Sequence, residues 1–233
     1  MVSERAMKLH YFYDPLCGWC YGASPLLKAV AALPGVSVEM HAGGMIDESE
    51  GRTVTPDWRG YVMPHDARIA QMSGQPFGDA YFNGLLKDIG APLASNPPIA
   101  AILAAGKLGA DPLAMLARIQ RAHYLEGKRI AELETLSELA LEQGLAAADF
   151  ALAWREARAE AERHIAQTRG LMSQWGLRGF PSAVLEQDGK LERLELSGWF
   201  GKPEQLAAEL AQRLPKLAVS GDDALFCTPD SCR

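Results

Sequence analysis

An α/β fold is predicted, in which a strand–helix–strand opening and a helix–hairpin–helix closing enclose a long helical block. Three observations carry it. An apolar, aromatic run at Leu9–Tyr13 is followed by helical spacing and then by strict alternation over Val36–Ala42. Helical periodicity then dominates for roughly a hundred residues. Finally, two extended runs flank Asp188-Gly189, a dipeptide that marks a hairpin turn.

The elements follow in order. Leu9-His10-Tyr11-Phe12-Tyr13 suits a covered, pleated surface and reads as a buried strand. Asp14-Pro15 breaks it. After Cys17-Gly18-Trp19-Cys20, the apolar positions Leu26, Leu27, Val30 and Leu33 recur at helical spacing, with Pro25 inside the helix as a source of bending. Val36, Val38 and Met40 alternate with Ser37, Glu39 and His41, so the second strand is half-buried, with His41 expected on its solvated face rather than as a catalytic base. Strand, helix, strand implies a parallel pair.

Residues 43–64 read as a mixed loop. Asn96-Pro97-Pro98 precedes an Ala-rich helix, and Asp111-Pro112 supplies an N-cap and first helical residue for the next. Ile130, Leu133, Leu136 and Ala140 mark a helix ending near Gly144. Asp149 is read as the cap of another, whose seam is Phe150, Trp154, Ala157, Ala161 and Ile165. Leu171–Leu177 closes a helix at Gly176. Ser182–Gln187 and Leu191–Leu196 are the arms of the hairpin. Gly201-Lys202-Pro203 opens a last helix with Leu206, Leu210 and Leu214 on one face, and a tail begins at about Pro215.

The chain has 233 residues, 48% hydrophobic and 22% charged, ample for a core without disulfide staples. A formal net charge of -6 argues against nucleic-acid and anionic-membrane partners. The first eight residues are polar and lack the apolar centre of an export signal, and no run approaches a membrane span, so the expectation is a cytoplasmic protein. In that reducing compartment a cysteine pair is catalytic or redox-sensing rather than structural. No Gly-rich phosphate loop is present, and His65, His123 and His164 are scattered without ligand spacing. No metal or cofactor is called for.

The chemistry is concentrated at Cys17 and Cys20. A CxxC alone is shared with zinc knuckles, but between a strand and a helix it points to redox work. Cys17 falls at the helix start, where unpaired N–H groups and the helix dipole favour a thiolate. The thiolate is the attacking species in disulfide exchange, and a second thiol one turn on can resolve the mixed disulfide.

The stretch Tyr13-Asp14-Pro15-Leu16-Cys17-Gly18-Trp19-Cys20-Tyr21-Gly22, with Gly179-Phe180-Pro181-Ser182 far downstream, resembles the DsbA family of the thioredoxin superfamily, and within it the cytoplasmic FrnE-like protein disulfide oxidoreductases. The resemblance implies a thioredoxin fold with an inserted all-helical domain. Its thioredoxin-like parts would be 1–48 and 170–216, with the helical insertion at 49–169 and a tail at 217–233. It implies that Cys17 is the nucleophile and Cys20 the resolving thiol, and that Gly18 and Trp19 shape the motif. It also implies that Phe180 and Pro181 position substrate, with Pro181 cis and facing the cysteines. Read from the residues alone, an ordinary trans proline at a strand start stays open.

A second pair, Cys227 and Cys232, sits in the tail. Three readings compete: a shuttling or regulatory dithiol, half of a four-cysteine zinc site, or tail thiols without a role. The expected function is a thiol–disulfide oxidoreductase, a protein disulfide reductase or isomerase. Its substrates would be protein or peptide thiols and disulfides, with glutathione or thioredoxin as candidate electron partners. The alternatives are a glutathione-dependent small-molecule enzyme, resembling kappa-class transferases or 2-hydroxychromene-2-carboxylate isomerases, and a redox-sensing or zinc-holding module.

Overall fold

The computed structural model describes residues 7–214, so the tail pair Cys227 and Cys232 lies outside the described residues. Four strands form one sheet in the order β2-β1-β3-β4, with β1 Met7–Tyr13, β2 Val36–Ala42, β3 Ser182–Gln187 and β4 Lys190–Leu194. β1 runs parallel to β2 and antiparallel to β3, and β3 is antiparallel to β4. Both the parallel opening and the hairpin agree with the sequence reading. At the hairpin tip Asp188 and Gly189 both take positive φ, 52° and 73°, as a tight two-residue turn requires.

α1 (Gly18–Ala31) connects β1 to β2. α2 (Pro56–Ser73), α3 (Asn96–Lys107), α4 (Pro112–Tyr124), α5 (Leu133–Glu142) and α6 (Ala147–Gln174) follow before β3, and α7 (Pro203–Arg213) closes the described chain. The main core gathers Leu9, Tyr11 and Tyr13 of β1 with Leu26, Leu27 and Val30 of α1 and the apolar faces of α3 to α6. A smaller core of Phe12, Met172, Leu177 and Val184 fills the other face of the sheet. No helix of the described residues is long and apolar enough to cross a membrane.

Three local readings are corrected. The loop expected over 43–64 gives way to helix at Pro56, where Thr55 Oγ1 accepts from the Trp58 N–H at 3.0 Å and proline occupies the first turn. Pro64 therefore lies inside α2. Asp149 is in the first turn of α6 rather than its cap, which is Ala146. An acidic group there still meets the positive end of the helix. His41 is buried, not solvated. Alternation correctly puts it on a face with Ser37 and Glu39, but the C-terminal part of α6 and the Trp175 that follows it cover that end of the sheet.

Candidate active site

β1 ends at Tyr13, and the next four residues are held by one carboxylate. Asp14 is fully buried and accepts from the Leu16 N–H at 2.9 Å, the Met45 N–H at 2.6 Å and the Ser95 hydroxyl at 3.0 Å. It ties the turn after β1 to the loop after β2 and to the start of α3. Burial pushes its pKa up, and those three hydrogen bonds with the Arg169 charge pull it back.

The turn delivers Cys17 to the N-cap of α1. Cys17 has extended backbone angles, and its sulfur accepts from the Cys20 N–H at 3.4 Å. This is the cap geometry usually made by a serine or aspartate oxygen, here directed at the sulfur that would carry charge. Cys20 is one turn inside the helix and completely buried. Burial first, and then the hydrogen bond with Cys17, push the Cys20 thiol well above its ordinary pKa. The two thiols thus differ in kind: one at the helix mouth, the other sealed and protonated.

Gly18 is small for a steric reason. A Cβ there would lie 2.7 Å from Asp66 Oδ1 and 2.9 Å from Ile69 Cδ1, so α2 packs directly on the motif. Trp19 is half-buried and leans on Phe200, ring centres 5.4 Å apart. It borders a groove with Pro181, Met72 and Leu196.

The Phe180–Pro181 bond is cis, as the resemblance implied, and the Phe180 carbonyl accepts from the Cys17 thiol at 3.5 Å. The Phe180 ring lies against Gly43, where a Cβ would fall 1.9 Å from it. Arg169 donates to the Gly43 carbonyl at 2.9 Å and also to that of Gly44. The loops after β2 and before β3 are therefore clamped together beside Cys17. All six site residues within the described chain, Cys17, Gly18, Trp19, Cys20, Phe180 and Pro181, come together.

A cavity of about 430 Å³ opens on Cys17. Its rim carries Trp19, Met45, Arg52, Trp58, Tyr61 and Phe180, and deeper in it are Asp66, Tyr81 and His123. Burial pushes the Asp66 carboxyl up to about 7, against the pull of the Tyr81 hydroxyl that donates to it at 2.8 Å. Burial holds His123 down at about 4, so it is neutral. Sequence reading named Trp19 and Phe180 of this rim but missed Trp58, Tyr61, Asp66 and Tyr81. One signal was present: Val62, Asp66, Ile69 and Ser73 are the buried positions of α2, so Asp66 is a carboxylate at core spacing on a helix.

A model of the DsbA-like thioredoxin domain matches residues 8–211. The chain belongs to that family. A dithiol at the helix start of this fold makes it a thiol–disulfide oxidoreductase. Among solved structures it is similar to the cytosolic disulfide reductase DsbM from Pseudomonas aeruginosa, at 50% identity and a TM-score of 0.83, covering 88% of this chain and 98% of that one. DsbM with GSH gives 46% identity and a TM-score of 0.81 over the same shares. A 2-hydroxychromene-2-carboxylate isomerase shares the fold alone, at 16% identity and a TM-score of 0.55, covering 88% of this chain and 97% of that one. No curated protein sequence matches the chain.

Proposed function

We propose that this oxidoreductase works as a cytoplasmic reductase of protein or peptide disulfides, drawing its electrons from glutathione. One observation carries the reading: Cys17 sits at the N-cap beside the Phe180 carbonyl at the edge of an open cavity, while Cys20 is sealed beneath it. The likeness to a cytosolic disulfide reductase and to its form with GSH supports the direction, the compartment and the donor.

Cys17 thiolate attacks one sulfur of the substrate disulfide. The S–S bond breaks, one substrate thiolate leaves, and a Cys17–substrate mixed disulfide forms. Cys20 gives up its proton and attacks Cys17 Sγ, releasing the second substrate thiol and leaving a Cys17–Cys20 disulfide. The substrate has gained two electrons and the dithiol has lost two. Two glutathione thiols then restore the dithiol and become glutathione disulfide. The backbone of Phe180 beside cis-Pro181 offers an edge for an extended substrate. The Trp19, Trp58 and Tyr61 rings give that substrate apolar surface, and Arg52 a positive charge.

The test is kinetic. Cys17→Ser should abolish glutathione-driven insulin reduction, and Cys20→Ser should accumulate mixed disulfides with substrate. A reduction potential near that of thioredoxin, about −270 mV, supports a reductase, whereas one near that of DsbA, about −120 mV, overturns the direction. The tail pair is proposed as an accessory dithiol: Cys227→Ser/Cys232→Ser should leave basal turnover intact and slow recovery after peroxide.

A further inference from the structure

The face of the sheet turned away from Tyr11 and Tyr13 holds a polar cluster that disulfide exchange does not use. The pleat assembles it. His10 on β1 is in register with Glu39 on β2, and His41 lies two residues beyond Glu39, on the same face. Glu186 of β3 lies two residues beyond Val184, the partner of His10 across the other edge of β1. His10 Nδ1 and His41 Nε2 face each other at 3.0 Å. The Glu39 carboxylate stands 3.9 Å from the first and 3.8 Å from the second. His10 Nε2 is 3.0 Å from Glu186 Oε2. Both imidazoles are buried, and the two carboxylates are open to solvent on one side.

We propose that His10, His41 and Glu39 form a binding site for a divalent transition-metal ion of the zinc class, with Glu186 as the group that orients His10. A carboxylate can only accept, so Glu186 fixes the His10 proton on Nε2 and leaves the Nδ1 lone pair aimed at His41. This is the carboxylate–histidine–metal relay in which an outer carboxylate sets the tautomer of a ligand. Four ligands about 2.0–2.1 Å from zinc lie roughly 3.3 Å from one another. The two facing nitrogens are already near that spacing, and all three donor atoms lie within 4.8 Å of one another. Glu39 Oε2 is the oxygen near His10 and Oε1 the one near His41, so this exposed carboxylate turns and moves inward to place one oxygen on the ion. On binding, His41 carries its proton on Nδ1, and a water fills the fourth position.

The competing cation is part of the chain. Lys8 Nζ lies 3.1 Å from Glu39 Oε2 and 3.6 Å from Glu186 Oε2. It is 42% exposed, and an exposed pair of this kind is a weak rival to direct coordination. His164 is engaged elsewhere, since its Nε2 accepts from the Ala42 N–H at 2.9 Å. His65 and His123, weighed from sequence as isolated histidines, take no part. The donors here come from two strands that meet only in the fold.

The experiment uses the full chain with Cys17, Cys20, Cys227 and Cys232 all changed to Ser, so that no thiolate competes. Zinc chloride is titrated against a chromophoric chelator, and cobalt chloride is followed by its visible absorption. The expected result is one zinc per chain and a tetrahedral cobalt spectrum without a sulfur charge-transfer band. Glu39→Gln, an exposed change that spares the core, should weaken zinc at least tenfold, and His41→Ala should remove it. Glu186→Gln should weaken it by about 10- to 100-fold. Lys8→Met should tighten it, which a merely structural hydrogen-bond chain does not predict. A parent chain that binds no stoichiometric zinc overturns the site. So does zinc binding that Glu39→Gln and His41→Ala leave unchanged.

Discussion

Two buried carboxyls flank the cysteine motif, and they are opposites. Asp14, in the turn that feeds Cys17 into α1, receives three hydrogen bonds. Asp66, on the wall of α2 that faces Gly18, receives one among the described residues, from Tyr81. Both are almost wholly out of water. A buried carboxylate is tolerated in proportion to the donors that meet it. Asp14 is therefore a fixed tie between three loops. Asp66 is poorly compensated, and its pKa rises to about 7, where it exchanges a proton under ordinary conditions. The turn before the motif is built for position, and the wall behind it for titration.

The largest effect is expected from breaking the tie. Asp14→Ala leaves the buried Leu16 N–H and Ser95 hydroxyl without their acceptor, each at about 1–3 kcal/mol, and also frees the part-buried Met45 N–H. A total loss of about 4 kcal/mol or more is expected in chemical denaturation, with disulfide reduction falling because Cys17 is no longer held beside Phe180. If stability changes by less than 1 kcal/mol, the view of Asp14 as the organising group is wrong.

The second effect has the opposite sign and depends on pH. Asp66 has a folded pKa of about 7 against about 3.9 unfolded, so between those values the native state binds more protons than the unfolded state. Native stability falls as pH rises through that window, by about 3–4 kcal/mol once above pH 7. Asp66→Asn should remove the slope: near-neutral at pH 4, stabilising by about 3 kcal/mol at pH 8. The activity profile of the wild type should carry an ionisation near 7 that the variant lacks. Parallel stability curves for the two proteins between pH 4 and 8 would refute the assignment.

Part of this architecture was legible in the sequence, and the rest was hidden for a physical reason. The strands, the hairpin, the Asp111 cap and the dithiol were readable because each is a local pattern with a local cause. Asp188-Gly189 demands its turn, and a cysteine pair between an aromatic strand and a helix has few other uses. The cis state of Phe180–Pro181 followed from resemblance, since the residues alone favour trans. What stayed hidden depends on contacts between distant segments. Nothing near Asp66 in sequence announces Tyr81 as its donor or Gly18 as its neighbour. The burial of His41 is decided by α6, more than a hundred residues away.

Gly18→Ala tests the contact between the motif and the wall directly. The added methyl would meet Asp66 Oδ1 and Ile69 Cδ1 at under 3 Å, so those side chains, or α2 with them, must give way. Overpacking of this kind costs about 1–3 kcal/mol. Because the displaced atom is Asp66 Oδ1, the ionisation near 7 should move as well, and Asp66→Asn/Gly18→Ala should show non-additive stability. Additive effects would mean that the two residues do not communicate.

The smallest effect isolates the hydrogen bond that Tyr81 gives Asp66. Tyr81→Phe keeps the ring that packs against Phe77, Phe82 and Tyr124 and deletes only the hydroxyl. That hydroxyl favours the charged carboxylate, since a donor stabilises the ion more than the acid. Removing it should therefore push the Asp66 pKa above 7 and carry the activity ionisation upward with it. At pH 5, where the carboxyl is protonated, the loss of stability should be about 1 kcal/mol, the value of an ordinary neutral hydrogen bond. At pH 8 it should be larger, because the lost partner is then a charged group. A downward shift of the ionisation, or equal losses at the two pH values, would show that Tyr81 is not what restrains Asp66. The contrast with Asp14, which keeps two donors if any one is lost, would then have to rest on burial alone.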